Sequence, residues 1–211
     1  MDKRTQESTQ PDVDLKSIRL KFSKALILQR LHERLKAGHV VRYHTRPELS
    51  EGQNVAAHTW RAMVILQTLF PDVSKNCMIH LMYHDVAEAE TGDMPATTKW
   101  KYPQLNKLME QVENDHEDKI GVGSRIYKVT VLEKSLCDIA DKLELILHCY
   151  RLMQTGNSLA EDVFIKGINY LQENYRKLDE FQQVQEIINA ITLKNKEPST
   201  VQTTLENLYK L

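Results

Sequence analysis

The chain has 211 residues, 28 of them basic and 29 acidic. Its formal charge of −1 supplies no field to gather nucleic acid or an anionic membrane, and a polymeric substrate is disfavoured. This length buries a full core in one domain without disulfides or a structural metal, so a bound metal would be there for chemistry. Cys77, Cys137 and Cys149 lack a C-x-x-C pair and sit in apolar segments, the chain start has no apolar run, and no segment approaches the ~20 residues of a membrane span; a cytoplasmic protein with reduced thiols is expected.

Residues 1–13 are polar, contain Pro11 and lack periodic apolar positions, which predicts a disordered tail ahead of a single domain over 14–211. Apolar side chains then recur at three- and four-residue steps through Ile18, Phe22, Ala25, Leu28, Leu31 and Leu35, a first long helix stopped by Gly38. Residues 38–53 break that period and form a basic, aromatic loop with Arg42, Tyr43 and Arg46. Asn54 reads as the N-cap of a helix reaching Phe70, with His58 among its apolar positions. Standing alone, such a histidine reads as a satisfied core residue.

Ser74 caps the next helix, which is expected to run unbroken through Ile79-His80-Leu81-Met82-Tyr83 and on to Glu88, until Gly92 and Pro95 end it. On such a helix His84, Asp85 and Glu88 address a common face, being three and four residues apart. A loop carrying Lys99 and Trp100 follows Pro95. Pro103 then opens a charged helix to about Ile120, whose acidic run over 113–117 reads as a solvated face with His116 at the surface. Gly121-Val122-Gly123-Ser124 reads as a helix–helix turn, because it lacks the lysine and spacing of a phosphate-binding loop. A mostly apolar helix over 129–153 is interrupted by Asp138, Asp141 and Glu144, and Asp141, between Ile139 and Leu143, calls for a partner. Packing helices are expected over 159–178, 181–194 and 199–211. Few glycines and no Asn-Gly or Asp-Gly turn argue against sheets, so the predicted class is all-α.

His58, the adjacent His84-Asp85 and Asp141 come from three helices that bundle packing can bring together. Two imidazoles and two carboxylates suit cobalt, manganese, zinc or iron better than calcium or magnesium, which prefer oxygen ligands. Such an ion lowers the pKa of a bound water towards ~7 and polarises a phosphoryl oxygen, the requirements of phosphate-ester hydrolysis at neutral pH. Glu88 and Asp93 remain as carboxylates for proton transfer and water positioning.

These residues and their surroundings, Asn54-Val55-Ala56-Ala57-His58-Thr59, Tyr83-His84-Asp85-Val86-Ala87-Glu88, Thr91-Gly92-Asp93-Met94-Pro95 and Ile139-Ala140-Asp141-Lys142-Leu143, resemble the HD-domain phosphohydrolases. The resemblance is to the bacterial 5'-deoxynucleotidase branch and related bacteriophage deoxynucleotide phosphohydrolases, and it covers a catalytic core over about 20–155. It implies an HD-domain helical bundle in which His58, His84, Asp85 and Asp141 hold a divalent transition metal. By the same resemblance, Glu88 is the general acid or base, Asp93 orients water or contacts substrate, and Arg42 and Lys99 bind phosphate. Tyr43 would stand against the sugar. The family usually has Glu immediately before the first metal histidine where this chain has Ala57, so loss of a supporting carboxylate, typically worth about 10–100-fold in affinity or activity, is expected.

Three readings follow. The first is a 5'-deoxynucleotidase acting on deoxynucleoside monophosphates. The second is a deoxynucleoside triphosphate triphosphohydrolase, dATPase-like, for which Arg42, Arg46, Arg61, Lys99 and Lys101 would supply cations. The third is an inactive helical protein that binds a partner. The resemblance further implies a homodimer or larger homo-oligomer in a bacterial cytoplasm, or that of a host if the chain is phage-encoded.

Overall fold

A computed structural model describes residues 15–50, 52–123 and 127–194; the tail expected over 1–13 and the helix expected over 199–211 lie outside the described residues. The protein is all-α. Its helices are α1 (Leu15–Lys36), α2 (Pro47–Ser50), α3 (Val55–Leu69), α4 (Lys75–Met82), α5 (Glu88–Thr91), α6 (Ala96–Lys101), α7 (Pro103–Ile120), α8 (Val131–Gln154), α9 (Glu161–Tyr175) and α10 (Phe181–Lys194). Among the described residues there is no strand, only an isolated antiparallel bridge between Val41 and Asn54. No described helix is long and apolar enough to cross a membrane.

The core is built on α8. Leu136, Ile139, Ala140, Leu143, Ile146, Cys149 and Leu152 are buried along it at helical spacing, against Ala62 and Leu66 of α3, Cys77 and Leu81 of α4, and Phe164, Ile168 and Leu171 of α9. Its start is fixed by a capping box: the Thr130 hydroxyl accepts from the Glu133 N–H at 3.1 Å, and the Glu133 carboxylate accepts from the Thr130 N–H at 2.9 Å. Where α9 crosses α8, a Cβ on Gly167 would sit 2.8 Å from Ile146 Cγ1, so only glycine permits this closeness. The expected caps of α3 and α4 are present, with Asn54 accepting from the Ala57 N–H and Ser74 from the Cys77 N–H.

Between α1 and α3 the chain closes on itself. The Arg42 N–H donates to the Gln53 carbonyl at 2.9 Å and the Val55 N–H to the Val40 carbonyl at 3.0 Å. The loop that carries Arg42 and Tyr43 is thereby clasped to the start of the helix that carries His58.

Three expectations are corrected. The helix expected to continue to Gly92 stops at Met82: His84 Nδ1 lies 2.6 Å from the Leu81 carbonyl, the acceptor that a continued helix would offer to the Asp85 N–H. Residues 83–87 form tight turns instead, with Val86 N–H bonded to Tyr83 O and Glu88 N–H to Asp85 O, so His84 and Glu88 do not share a helix face. The loop expected after Pro95 is the short helix α6, because proline at its N-cap is compatible with a helix start. His116 is buried, with Nδ1 3.7 Å from Glu90 Oε1, and Glu113 and Glu117 on the same helix are partly buried rather than solvated. Leu28, Leu31 and Leu35 of α1 are exposed, and α1 docks by its end, where Arg34 donates to the carbonyls of Ile120 and Gly121.

Candidate metal centre

Helix α3, the turn after α4 and helix α8 bring His58, His84, Asp85 and Asp141 to one place. His58 Nε2 lies 3.0 Å from Asp141 Oδ1, 3.3 Å from His84 Nε2 and 3.6 Å from Asp85 Oδ2. His84 Nε2 lies 3.3 Å from Asp85 Oδ2 and 3.7 Å from Asp141 Oδ1. These separations match those between donors that share one small cation at bonds of about 2.0–2.2 Å. The break after Met82 is what makes this possible, because it turns adjacent residues, His84 and Asp85, toward the same point.

The far atoms of three of these four residues are also held. His84 Nδ1 is on the Leu81 carbonyl, Asp141 Oδ2 accepts from Lys142 Nζ at 2.6 Å, and His58 Nδ1 lies 2.7 Å from Glu144 Oε2. Imidazoles so anchored present Nε2 inward, the arrangement that metal-binding histidines need.

Electrostatics point the same way. Burial alone would lower the His84 pKa, but Asp85 and Asp141 raise it to about 9. His58 is likewise raised against burial, by its bonds to Asp141 and Glu144. Asp85 and Asp141 are lowered despite burial, Asp85 chiefly by His84 and Arg42, Asp141 chiefly by Lys142 and the two histidines. The cluster thus draws positive charge into a buried place, and a divalent cation on neutral imidazoles answers that demand with no net proton on either ring.

Around the cluster stand the other predicted residues. Arg42 donates to Asp85 and is almost buried, while its Nε has no partner. Tyr43, at φ +58°, has a left-handed backbone, held by its N–H donating to Asp93 Oδ2 at 2.6 Å, and its ring stacks on His148 at 5.8 Å. The Tyr43 hydroxyl is buried without a partner, as is Glu88 Oε2. Burial, then repulsion from Asp85 and Asp93, pushes the Glu88 carboxyl up to about 8. Gly92, at φ +72°, makes the turn that delivers Asp93 to Tyr43.

The chain matches, over residues 34–194, the family described as 5'-deoxynucleotidase, YfbR-like. It belongs to the YfbR-like 5'-deoxynucleotidase family. Membership makes it a metal-dependent hydrolase of phosphoric esters, acting on deoxyribonucleotides, with an HD-type site. No curated protein matches. Among solved structures, the fold resembles the PH0347 protein of Pyrococcus horikoshii OT3 (18% identity, 78% of this chain and 97% of that one, TM-score 0.60). It also resembles a conserved hypothetical protein of Pyrococcus furiosus (20% identity, 78% and 98%, TM-score 0.61). A third similar fold is the HD phosphohydrolase of cyanophage S-2L, described as bound to dA and one catalytic zinc ion (22% identity, 76% and 95%, TM-score 0.58).

Within this YfbR-like frame the predicted site residues divide. His58, His84, Asp85 and Asp141 converge, Arg42 touches them, and Tyr43 and Asp93 are joined to each other. Lys99 stands further out on α6, 3.9 Å from Glu113 Oε1. Two cations expected at a triphosphate mouth are engaged elsewhere: Arg46 with Glu48 at 2.6 Å, and Arg61 with Glu144, behind His58. Sequence reasoning missed Glu144 and Gln53, whose amide donates to Glu144 Oε1 at 2.8 Å. The expectation that Ala57 leaves His58 without a carboxylate behind it is also corrected, for Glu144 is there. The available signal was Glu144 falling one turn beyond Asp141 in an otherwise apolar row.

Proposed function

We propose that this chain removes phosphate from deoxynucleoside 5'-monophosphates, with His58, His84, Asp85 and Asp141 holding cobalt, manganese, zinc or iron. The observation that carries the reading is the trio of buried polar atoms without protein partners beside the cluster, Arg42 Nε, Tyr43 Oη and Glu88 Oε2. Buried polar groups left unpaired are costly, and a nucleotide would pair them. A divalent ion at the four ligands would supply Lewis acidity at a phosphoryl oxygen and acidify a water.

Arg42 would turn its unpartnered Nε edge to phosphate oxygens, the pairing to which a guanidinium is suited. Tyr43 would close against the sugar and crowd a 2'-hydroxyl. Glu88, whose carboxyl burial and Asp85 push up to about 8, would give a proton to the 5'-oxygen as the P–O bond breaks, and regain one from the attacking water. Asp93 would keep Tyr43 in place and leave one carboxylate oxygen for water. Lys99 would attract the phosphate from further out. The acidic Glu113 and the displaced Arg46 and Arg61 favour a monophosphate over a more highly charged triphosphate.

A product assay with cobalt or manganese across deoxy and ribo mono-, di- and triphosphates tests this. Inorganic phosphate from deoxy monophosphates is expected; tripolyphosphate from triphosphates would instead establish the triphosphohydrolase reading, and no release with either metal would refute both. The same proposal extends to a cytoplasmic homo-oligomer, supported by the exposed apolar side chains Ile27, Leu28, Leu31 and Leu35 along α1. Light scattering of the full chain should give at least twice the monomer mass.

A further inference from the structure

We infer that Glu144 is a positioning residue for the metal centre, fixing the His58 ring so that Nε2 alone is offered to the ion. The inference rests on the reading that His58 is a metal ligand. Glu144 lies three residues beyond Asp141, one turn on along the same face of α8. Asp141 Oδ1 meets His58 Nε2 at 3.0 Å and Glu144 Oε2 meets His58 Nδ1 at 2.7 Å, so a single helix grips both ends of one imidazole. A carboxylate accepts and does not donate, hence Nδ1 carries the proton, and an ion shared with Asp141 would take the lone pair of Nε2.

Glu144 has the surroundings of a group kept for such work. It is 2% exposed in an apolar row, a costly place for a carboxylate. Its second oxygen accepts from Gln53 Nε2 at 2.8 Å and from Arg61 NH1 at 3.4 Å, so it cannot swing away from the ring. Ala57, beside His58 in sequence, has no polar side chain to offer. The Gln53 contact also ties the far end of the Arg42 loop to the same carboxylate, linking the substrate side of the pocket to the orientation of a ligand.

The test measures the cobalt dissociation constant by competition with a chromophoric chelator, for the unaltered full chain and for Glu144→Ala, Glu144→Gln and Arg61→Met. Glu144→Ala should weaken cobalt binding about 10–100-fold. Glu144→Gln, which keeps an acceptor for Nδ1–H, should recover most of that loss, and Arg61→Met should lose less than Glu144→Ala, because Gln53 still holds the Glu144 carboxylate. At saturating cobalt, the KM for a deoxynucleoside monophosphate should be unchanged in Glu144→Gln. Melting temperatures in chelator separate folding from positioning, since a purely structural role would lower them in step with affinity. Unaltered cobalt affinity in Glu144→Ala, or a loss in Glu144→Gln as large as in Glu144→Ala, overturns the inference while leaving the metal centre intact. No cobalt binding by the unaltered chain overturns the metal centre itself, and the inference with it.

Discussion

Asp85 joins both histidines of the cluster to Arg42: it lies 3.3 Å from His84, 3.6 Å from His58, and accepts from Arg42. Asp85→Ala should therefore abolish both turnover and metal uptake, read as metal per chain after dialysis; residual activity with every substrate unchanged would refute the site. Glu88 makes a different prediction. Its pKa is raised in the folded protein, to about 8, so the folded state holds a proton that the unfolded state has released once pH exceeds the ordinary carboxylate value. Stability contributed by the protonated form is present at low pH and is lost as pH rises toward 8, by about 1.4 kcal/mol for each pH unit between the two pKa values. In chelator, Glu88→Gln should consequently be more stable than the unaltered protein at pH 8 and indistinguishable from it near pH 4.5, by denaturant melts, while with cobalt or manganese restored its turnover should fall below that of the unaltered protein. The convergence of His58, His84, Asp85 and Asp141 was legible in sequence because charged or imidazole groups interrupt apolar rows there. Glu144 interrupts the same row, but nothing local tells a carboxylate that holds a ring from one that faces water.

The elements that carry the site differ in how plainly the sequence announces them. Asn54 and Ser74 were readable as caps because a short polar side chain satisfies the first free N–H groups of a helix wherever it stands. Asn54→Ala should cost about 1 kcal/mol of stability. It should also weaken metal binding, because the capped turn carries His58, and a thermal melt with a parallel metal titration would detect both. The end of α4 was not readable. Residues 79–88 keep an apolar, helix-compatible composition, and the helix stops because the His84 ring takes the Leu81 carbonyl, a contact set by the tertiary site rather than by propensity. Likewise α7 reads as a solvated helix from its charges, yet its His116 is packed against Glu90 once α5 folds over it.

At the scale of the whole molecule, a buried cluster of two imidazoles and two carboxylates makes the fold and the metal thermodynamically inseparable. Metal at about 100 times its Kd should add ~2.7 kcal/mol of stability, equivalent to a melting-temperature rise of about 5–10 °C for a chain of this size, and chelator should remove it. A melting temperature indifferent to both would argue against a metal held by these ligands. The all-α class was legible from the absence of hairpin signals and from the three- and four-residue apolar steps. The outward stripe on α1 was not, since a period shows that a helix has an apolar face but not what covers it. The clasp between Val41 and Asn54 has a consequence for how such chains diversify. Because Arg42 bonds back to Gln53, and Val55 to Val40, at the two ends of the loop, the separation of Arg42 from His58 is set by the clasp and not by the length of chain between them. The tip at His44 and Thr45 is exposed, and lengthening a closed loop adds little entropy cost. Relatives can thus gain or lose residues there without shifting Arg42 against His58.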